Sequence, residues 1–147
     1  MSFQTTAGLV VQISAGLPAT NDAAGFAALS YTTVSGVSSV SAFGKTYNEV
    51  TFNPLNDRKT LKFKGSYNNG TISMEIAVDD ADAGQVIVRS ALDSDNNYSF
   101  KLTRQDGSVR YFFGRVMSFP ENPGSVDSMY MATCDVSINS DVVKVAA

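Results

Sequence analysis

Apolar and polar residues alternate most clearly on the two sides of Asn69-Gly70. Residues 61–66 read Leu-Lys-Phe-Lys-Gly-Ser, and residues 72–77 read Ile-Ser-Met-Glu-Ile-Ala. A period of two is typical of a strand with one buried and one polar face, and Asn-Gly supplies the two positive-φ residues of a type I′ turn. The pattern therefore predicts a β-hairpin in which these two segments pair with each other.

More β-rich segments follow the same logic. Asp106-Gly107 separates the strand-like residues 98–105 from residues 108–117, which predicts a second hairpin. Seven or so strands of this kind predict a β-sandwich or barrel. The remaining predicted strands cover residues 7–14, residues 27–43 with an interruption at Gly36, and residues 128–138.

Two segments lack a sustained periodicity. Residues 15–25 are rich in Gly, Pro and Asn, and residues 44–58 contain Asn53-Pro54 and Asn56-Asp57. These residues are typical of turns, so both segments are predicted as loops. A loop as long as 44–58 is usually functional or disordered.

One helix is predicted directly after residue 78. Asp79 and Asp80 are the candidate N-cap residues, because a carboxylate accepts hydrogen bonds from free helix amides and complements the macrodipole. The acidic residues lack the ligand spacing of an EF-hand loop, so we interpret them as a cap and a solvated first turn. A stripe expected to pack on the sheet recurs at helical spacing, at Ala83, Val86, Ile87, Ser90 and Ala91.

Composition excludes several classes of protein. The 147 residues suffice for one domain with its own core, and the formal net charge of −3 provides no basic field for nucleic-acid phosphates. The chain has no long apolar run and no signal-peptide pattern, so we expect no membrane segment and cytoplasm-like surroundings. Cys134 is the only cysteine, which excludes a disulfide scaffold and predicts a buried structural thiol.

The residue types that enzymes use are scarce. Histidine is absent, which removes the commonest general base and zinc ligand, and no nucleophile elbow, P-loop or dinucleotide fingerprint is present. Glu49, Glu75 and Glu121 could act with aspartates as in a glycosidase, but solvation on a loop or polar strand face is the simpler interpretation. We therefore expect no enzymatic activity and no cofactor or metal.

Two groups of residues suggest contacts with other molecules. Residues 58–67 combine four basic residues with Phe63 and Tyr67, a combination also found in grooves that bind single-stranded nucleic acid. The acidic balance of the chain instead favours a solvated strand face or a contact with a neighbouring subunit. Tyr111 and Phe113 share one strand with Phe112, which places aromatic residues on both faces. Tyr111 and Phe113 are therefore candidates for a lateral subunit interface.

Residues 98–136 form an ordered series of motifs. They run from Tyr98-Ser-Phe-Lys-Leu through Asp106-Gly107 and Tyr111-Phe-Phe-Gly-Arg-Val-Met-Ser-Phe119 to a terminal strand at 131–136. The series resembles the tail tube proteins of long-tailed (siphovirus-type) bacteriophages. The preceding loop, the strand at 59–67 and the helix start fit the same plan, so the resemblance covers about residues 43–138.

The resemblance implies a β-sandwich with one flanking α-helix, in a single domain spanning residues 1–147. Subunits of that family form hexameric rings in which neighbouring sheets complete an inner β-barrel, and the rings stack around a tape-measure protein between tail terminator and tail-tip proteins. The tube lies in the virion tail, is assembled in the host cytoplasm and conducts double-stranded DNA without binding it specifically. An acidic lumen would let phosphates slide past, although the sequence does not identify the lumen residues.

The resemblance also implies contact segments. Residues 44–58 correspond to a loop that reaches the adjacent ring, and residues up to Gly8 to an inter-subunit arm. The expected apolar anchors of the inter-ring loop are Tyr47, Phe52, Pro54 and Leu55. Its expected charged contacts are Lys45, Glu49, Asp57 and Arg58.

Two alternatives remain open at this point. A tail-end ring protein or a secretion-tube protein of the same fold would share the sequence pattern, and the ring protein would not form a long tube. A monomeric β-sandwich binding module, for instance for carbohydrate, belongs to another class, and it would need an aromatic platform that this chain lacks tryptophan to build.

Overall fold

The computed structural model describes residues 3–146, and its architecture is mainly β. Seven strands of the main antiparallel sheet follow the order β2-β1-β7-β8-β10-β6-β3, with β11 paired to β8 and β9 paired to β10, whereas β4 and β5 form a separate two-stranded sheet. The expected β-rich fold with a flanking helix is confirmed. The elements are β1 (Val10–Ser14), α1 (Ala23–Ala27), β2 (Thr32–Thr33), β3 (Val37–Val40), β4 (Thr46–Phe52), β5 (Leu61–Asn68), β6 (Thr71–Ala77), α2 (Ala83–Leu92), β7 (Tyr98–Thr103), β8 (Val109–Ser118), β9 (Glu121–Asn122), β10 (Met131–Ile138) and β11 (Val143–Val145).

The hydrophobic core is shared by the two halves of the main sheet and by α2. Alternate residues of β1, β7 and β8 enter it from one half, alternate residues of β6 and β10 enter it from the other, and α2 contributes Val88 and Ala91. Phe100 and Phe112 stack at its centre with ring centroids 5.3 Å apart. Full burial of such a side chain contributes roughly 1.5–3 kcal/mol. The buried face predicted for residues 72–77 is confirmed.

The second predicted hairpin is also confirmed. Strands β7 and β8 pair from Tyr98 opposite Gly114 to Thr103 opposite Val109. Gly107 has a φ of 92°, a left-handed conformation that glycine adopts at no steric cost. The Asp106-Gly107 pair therefore correctly predicted both the turn and the pairing of β7 with β8.

The first predicted hairpin is wrong. Strand β5 pairs with β4, whereas β6 pairs with β10 and β3, so the chain changes sheets at Asn69-Gly70. Gly70 has a φ of 82° but Asn69 does not have a positive φ, so the turn is not type I′. The carbonyl of Gly70 accepts a hydrogen bond from the Ile138 amide at the end of β10. Asn-Gly here joins strands of two different sheets and does not pair them.

Helix α2 begins later than predicted, and the assignment of Asp79 and Asp80 as the N-cap is wrong. Asp82 is the N-cap, and its side chain accepts a hydrogen bond from the Gln85 amide. Asp79 instead accepts from the Ala81 amide at 3.0 Å in the preceding turn. Asp80 points outward and forms an ion pair with Arg89 in the helix, at 2.8 Å.

The buried face of α2 also differs from the predicted stripe. Val86 and Ser90 are exposed, and the buried residues are Gly84, Gln85, Val88 and Ala91. A Cβ atom on Gly84 would lie 2.2 Å from the Thr33 carbonyl oxygen, so glycine allows α2 to approach β2 this closely. A glycine and a glutamine on the buried face carry no hydrophobic signal, which is why the stripe was misplaced.

A short helix lies at the end of the segment predicted as a loop at 15–25. Asp22 caps α1 by accepting a hydrogen bond from the Gly25 amide at 2.8 Å, and Phe26 is fully buried. Five residues are too few for a helical periodicity, so the sequence pattern does not indicate α1. Strand β11 was also missed.

The N-terminal segment is described from Phe3 onward. The predicted inter-subunit segment at residues 1–8 thus includes Met1 and Ser2, which lie outside the described residues. The Gln4 side-chain oxygen accepts a hydrogen bond from the Asp106 amide at 3.2 Å, which places this segment beside the turn between β7 and β8. A role between subunits stays a prediction.

Replacing Asp82 with Ala is expected to lower the free energy of unfolding by about 1 kcal/mol near neutral pH. Burial opposes ionisation of Asp82, but hydrogen bonds from the Ser35 and Gln85 amides outweigh it and hold the carboxyl pKa below its usual value. Because the folded pKa is lowered, the ionised cap stabilises the protein above the unfolded-state pKa and loses this effect as the pH falls through the folded pKa. Urea unfolding of both proteins should show a smaller difference in acid; an equal difference at both pH values would contradict this account.

Candidate self-assembly surface

Residues 45–68, here called the arm, form a two-stranded ribbon outside the main sheet. Thr46 lies opposite Asn68 at its base and Phe52 lies opposite Leu61 at its far end. Within the described residues, β4 and β5 pair only with each other. The prediction of residues 44–58 as a loop is wrong over β4, because the turn-forming Asn and Pro residues occupy only the tip at residues 53–60.

One face of the arm is apolar and uncovered. Val50 lies opposite Phe63 and Phe52 opposite Leu61, and these four side chains are between 36% and 56% exposed. Leu55 at the tip is fully exposed. A ribbon of two strands is marginally stable by itself in water, and an apolar face of this kind is typical of a surface that another molecule covers.

The other face of the arm is charged. Lys62 and Glu49 form an exposed ion pair at 3.8 Å, and the ammonium group of Lys64 lies 4.8 Å from the ring centroid of Tyr47. At the base, Lys45 lies 3.8 Å from Asp141 and 4.3 Å from the centroid of the Tyr67 ring. Exposed ion pairs of this kind contribute little to stability, so neither pair holds the arm firmly against the body.

The structure gathers the predicted inter-ring residues along this one arm. Lys45 and Tyr47 lie at the base, and Glu49 and Phe52 lie on opposite faces of β4. The remaining four, Pro54, Leu55, Asp57 and Arg58, lie at the tip. The other members of the apolar face, Val50, Leu61 and Phe63, are not among the predicted contact residues. The alternation of Leu61 and Phe63 in the sequence predicts a face buried in the core of the subunit, whereas the structure leaves it open.

Tyr111 and Phe113 were candidates for a lateral subunit interface, and the structure places them in a contact within the subunit. The Phe26 ring of α1 stacks on Tyr111 with centroids 5.4 Å apart and lies 6.4 Å from the Phe113 ring. Tyr111 is buried. Tyr111 is therefore not available to a neighbouring subunit, because α1 covers this aromatic face of β8. A lateral interface at Phe113, which is half-buried, stays a prediction.

A cavity of about 360 Å³ lies beside the N-terminal segment and is lined by Leu9, Phe43 and Leu102 with Arg104 and Arg110. In residues 3–146, no group of His, Cys, Asp and Glu side chains is arranged to hold a metal ion. Within the same range, no helix combines the length and apolar character needed to cross a membrane.

Cys134 is buried in β10, as predicted. Burial raises the pKa of its thiol to about 12. Because the thiolate is the reactive form, we expect a thiol reagent such as DTNB to modify Cys134 only after unfolding by urea. Rapid stoichiometric modification of the native protein would contradict this placement.

Comparisons with known proteins agree at the level of the fold. No family model matches the chain, and no curated protein matches its sequence. Among solved structures, a chain in the tail of an empty gene transfer agent particle, refined with C6 symmetry, superposes with a TM-score of 0.70 at 14% identity, over 98% of this chain and 100% of that one.

Two further structures show the same likeness. A chain of the SPP1 tail tube has a TM-score of 0.66 at 13% identity, over 95% of this chain and 77% of that one. A chain in the extended sheath–tube complex of the extracellular contractile injection system PVC has a TM-score of 0.63 at 11% identity, over 95% and 88%. The protein therefore has the fold found in phage tail tubes and in contractile injection assemblies.

Proposed function

We propose that the protein is a structural tail tube subunit that assembles into stacked hexameric rings. The observation that carries the proposal is the arm, whose apolar face is covered by nothing in the described part of the chain. A second copy of the chain supplies the missing cover in a self-assembling tube. The shared fold supports this reading, and the C6 symmetry of the similar gene transfer agent tail supports a ring of six.

The tube is a conduit for double-stranded DNA in the virion tail, built in the host cytoplasm around a tape-measure protein and bounded by terminator and tip proteins. The protein has no enzymatic role in this proposal. Support comes from the polar face of β6 and β10, opposite the core, where Asp135 accepts hydrogen bonds from Ser73 and Ser118 and Glu75 accepts one from Ser39. We assign this face to the lumen, because partly exposed carboxylates repel phosphate and let DNA slide.

Contractile injection systems contain the same fold, so a secretion tube is the second candidate. Both tubes require stacking, whereas a tail-end ring protein stops at one ring and a binding module remains a monomer. Sedimentation velocity and light scattering on the purified protein, over a range of concentrations, separate these outcomes. Open-ended, concentration-dependent growth is expected; a species that stays at one or six copies would overturn the tube proposal.

A further inference from the structure

The arm and a second exposed surface lie at opposite ends of β10. The arm base is beside the end of β10, because the Ile138 amide donates to the Gly70 carbonyl at 3.0 Å. At the other end, Met131 follows residues 119–130, here called the distal loop. The eight residues of β10, at roughly 3.3 Å each, separate the two ends by about 25 Å. A surface at one end can therefore meet the other end of a second copy.

The distal loop carries uncovered apolar side chains. Val126 is fully exposed, and Met129 and Tyr130 are exposed by 69% and 48%. The loop contains only the short strand β9, whose two residues pair with the start of β10. Its apolar side chains therefore form a second surface that the described chain leaves open.

The surroundings of the distal loop are acidic. Glu121 and Asp127 lie in the loop itself, and the Val78 amide donates to the Tyr130 carbonyl, which brings the turn before α2 alongside. That turn contributes three aspartates at positions 79, 80 and 82, of which Asp80 is paired with Arg89. We call the loop and this turn together the distal surface.

The arm has the opposite charge. It contains five of the chain's eleven basic residues and two acidic ones, a formal charge of +3 in a protein whose net charge is −3. The arm and the distal surface are thus complementary in two ways. Both expose apolar side chains, and the charge of the arm is positive whereas that of the distal surface is negative. Complementary potentials fix the register of an interface and reject wrong partners.

We propose that the arm of one copy docks on the distal surface of another copy, and this inference rests on the proposed tube function. The contact is heterologous, because it joins two different surfaces, and heterologous contacts can repeat without closing. Docking covers the apolar face of the arm and the side chains of Val126 and Met129 together. The cavity beside the N-terminal segment is a poor receptor, because Arg104 and Arg110 in its lining have the same charge as the arm.

Charge reversal tests the docking. One variant carries Arg58→Glu and Lys59→Glu at the arm tip, and the other carries Glu121→Lys and Asp127→Lys in the distal loop. All four residues are exposed and none forms an ion pair within residues 3–146. Each variant alone should raise the critical concentration for assembly by about tenfold or more, because like charges then face each other across the interface.

Rescue makes the test specific. A protein with all four substitutions should assemble again, since opposite charges meet in every contact. An equimolar mixture of the two variants should also assemble, with copies of the two variants alternating along the tube so that opposite charges meet. A matched control, Asp93→Lys with Asp95→Lys, changes the net charge equally on an exposed turn after α2 and should assemble like the wild type. Circular dichroism confirms that each variant is folded.

The outcomes separate this inference from the proposed function. If the wild type forms no tubes, the tube function fails. If the wild type forms tubes and the distal-loop variant does so equally well, or the mixture is not rescued, the docking on the distal surface is overturned while the tube function stands.

Discussion

Removing the arm is expected to abolish assembly and leave a folded subunit. In this variant a short Gly-Ser linker replaces residues 46–68 and joins Lys45 to Asn69, which the pairing of Thr46 with Asn68 places close together. The arm contributes no side chain to the core, so the body should unfold at a temperature within a few degrees of the wild type. Assembly should fail at concentrations about a hundredfold above the wild-type threshold, because each apolar side chain that docking buries contributes roughly 1.5–3 kcal/mol.

A subtler variant separates the apolar face from the arm as a whole. Val50→Thr with Phe63→Thr keeps strand-forming residues but removes the apolar contact, and it should block assembly nearly as well as the deletion. The matched control, Thr51→Ser, changes the opposite face without altering the charge of the arm and should retain assembly. Tubes of normal length from the deletion variant, seen by light scattering and electron microscopy, would refute a role of the arm in stacking.

The largest effect on stability is expected from Gln85→Leu. Gln85 is fully buried, and its side-chain amide donates to the carbonyls of Ser35 at 2.8 Å and Ala77 at 2.9 Å. Its oxygen accepts from the Asp79 amide at 2.9 Å. One side chain thus joins α2 to the segment before β3, the end of β6 and the intervening turn.

Leucine fills a similar volume but leaves these three backbone groups without partners. Each unsatisfied buried group costs about 1–3 kcal/mol, so we expect the free energy of unfolding to fall by about 3–5 kcal/mol. Gln105→Leu, at an exposed position, is the matched control and should change it by less than about 0.5 kcal/mol. Equal urea midpoints for the two variants would show that the Gln85 hydrogen bonds do not stabilise the fold.

Sequence patterns correctly predicted the features that depend on residues close together in the chain. The alternation at residues 72–77 identified the buried face of β6, and Asp106-Gly107 identified both the turn and the pairing of β7 with β8. Cys134 was correctly expected to be buried. In each case the residues that form the feature are neighbours in the chain, or a two-residue turn brings them together.

The sequence did not predict which strand β5 pairs with, because strand pairing depends on the whole fold. Leu61 and Phe63 alternate as a core-facing strand does, yet their apolar face is open in the subunit. An alternating pattern reports that one face will be covered but not whether the cover belongs to the same chain. The misplaced hairpin follows from this ambiguity. The wrong prediction of a loop over β4 has a different cause, since residues 44–58 lack a sustained periodicity and contain turn-forming Asn and Pro residues.

Long-range contacts produced the other errors. Tyr111 was taken for an interface residue because nothing near it in sequence indicates that Phe26, 85 positions earlier, stacks on its ring. The N-cap is Asp82 and not Asp79 or Asp80. A helix that begins after Asp82 places Gln85 where its side chain is buried and donates to the Ser35 carbonyl, 50 positions away in sequence. All three aspartates are good caps by residue type, and the tertiary structure selects one.

Cryo-electron microscopy of the concentrated, purified protein is the decisive test of self-assembly. We expect hollow tubes with a regular ring repeat, six copies in each ring, and density for the arm against a neighbouring copy. Isolated rings would contradict a stacking subunit and favour a tail-end ring protein. A persistent monomer with an unbound arm would contradict self-assembly altogether.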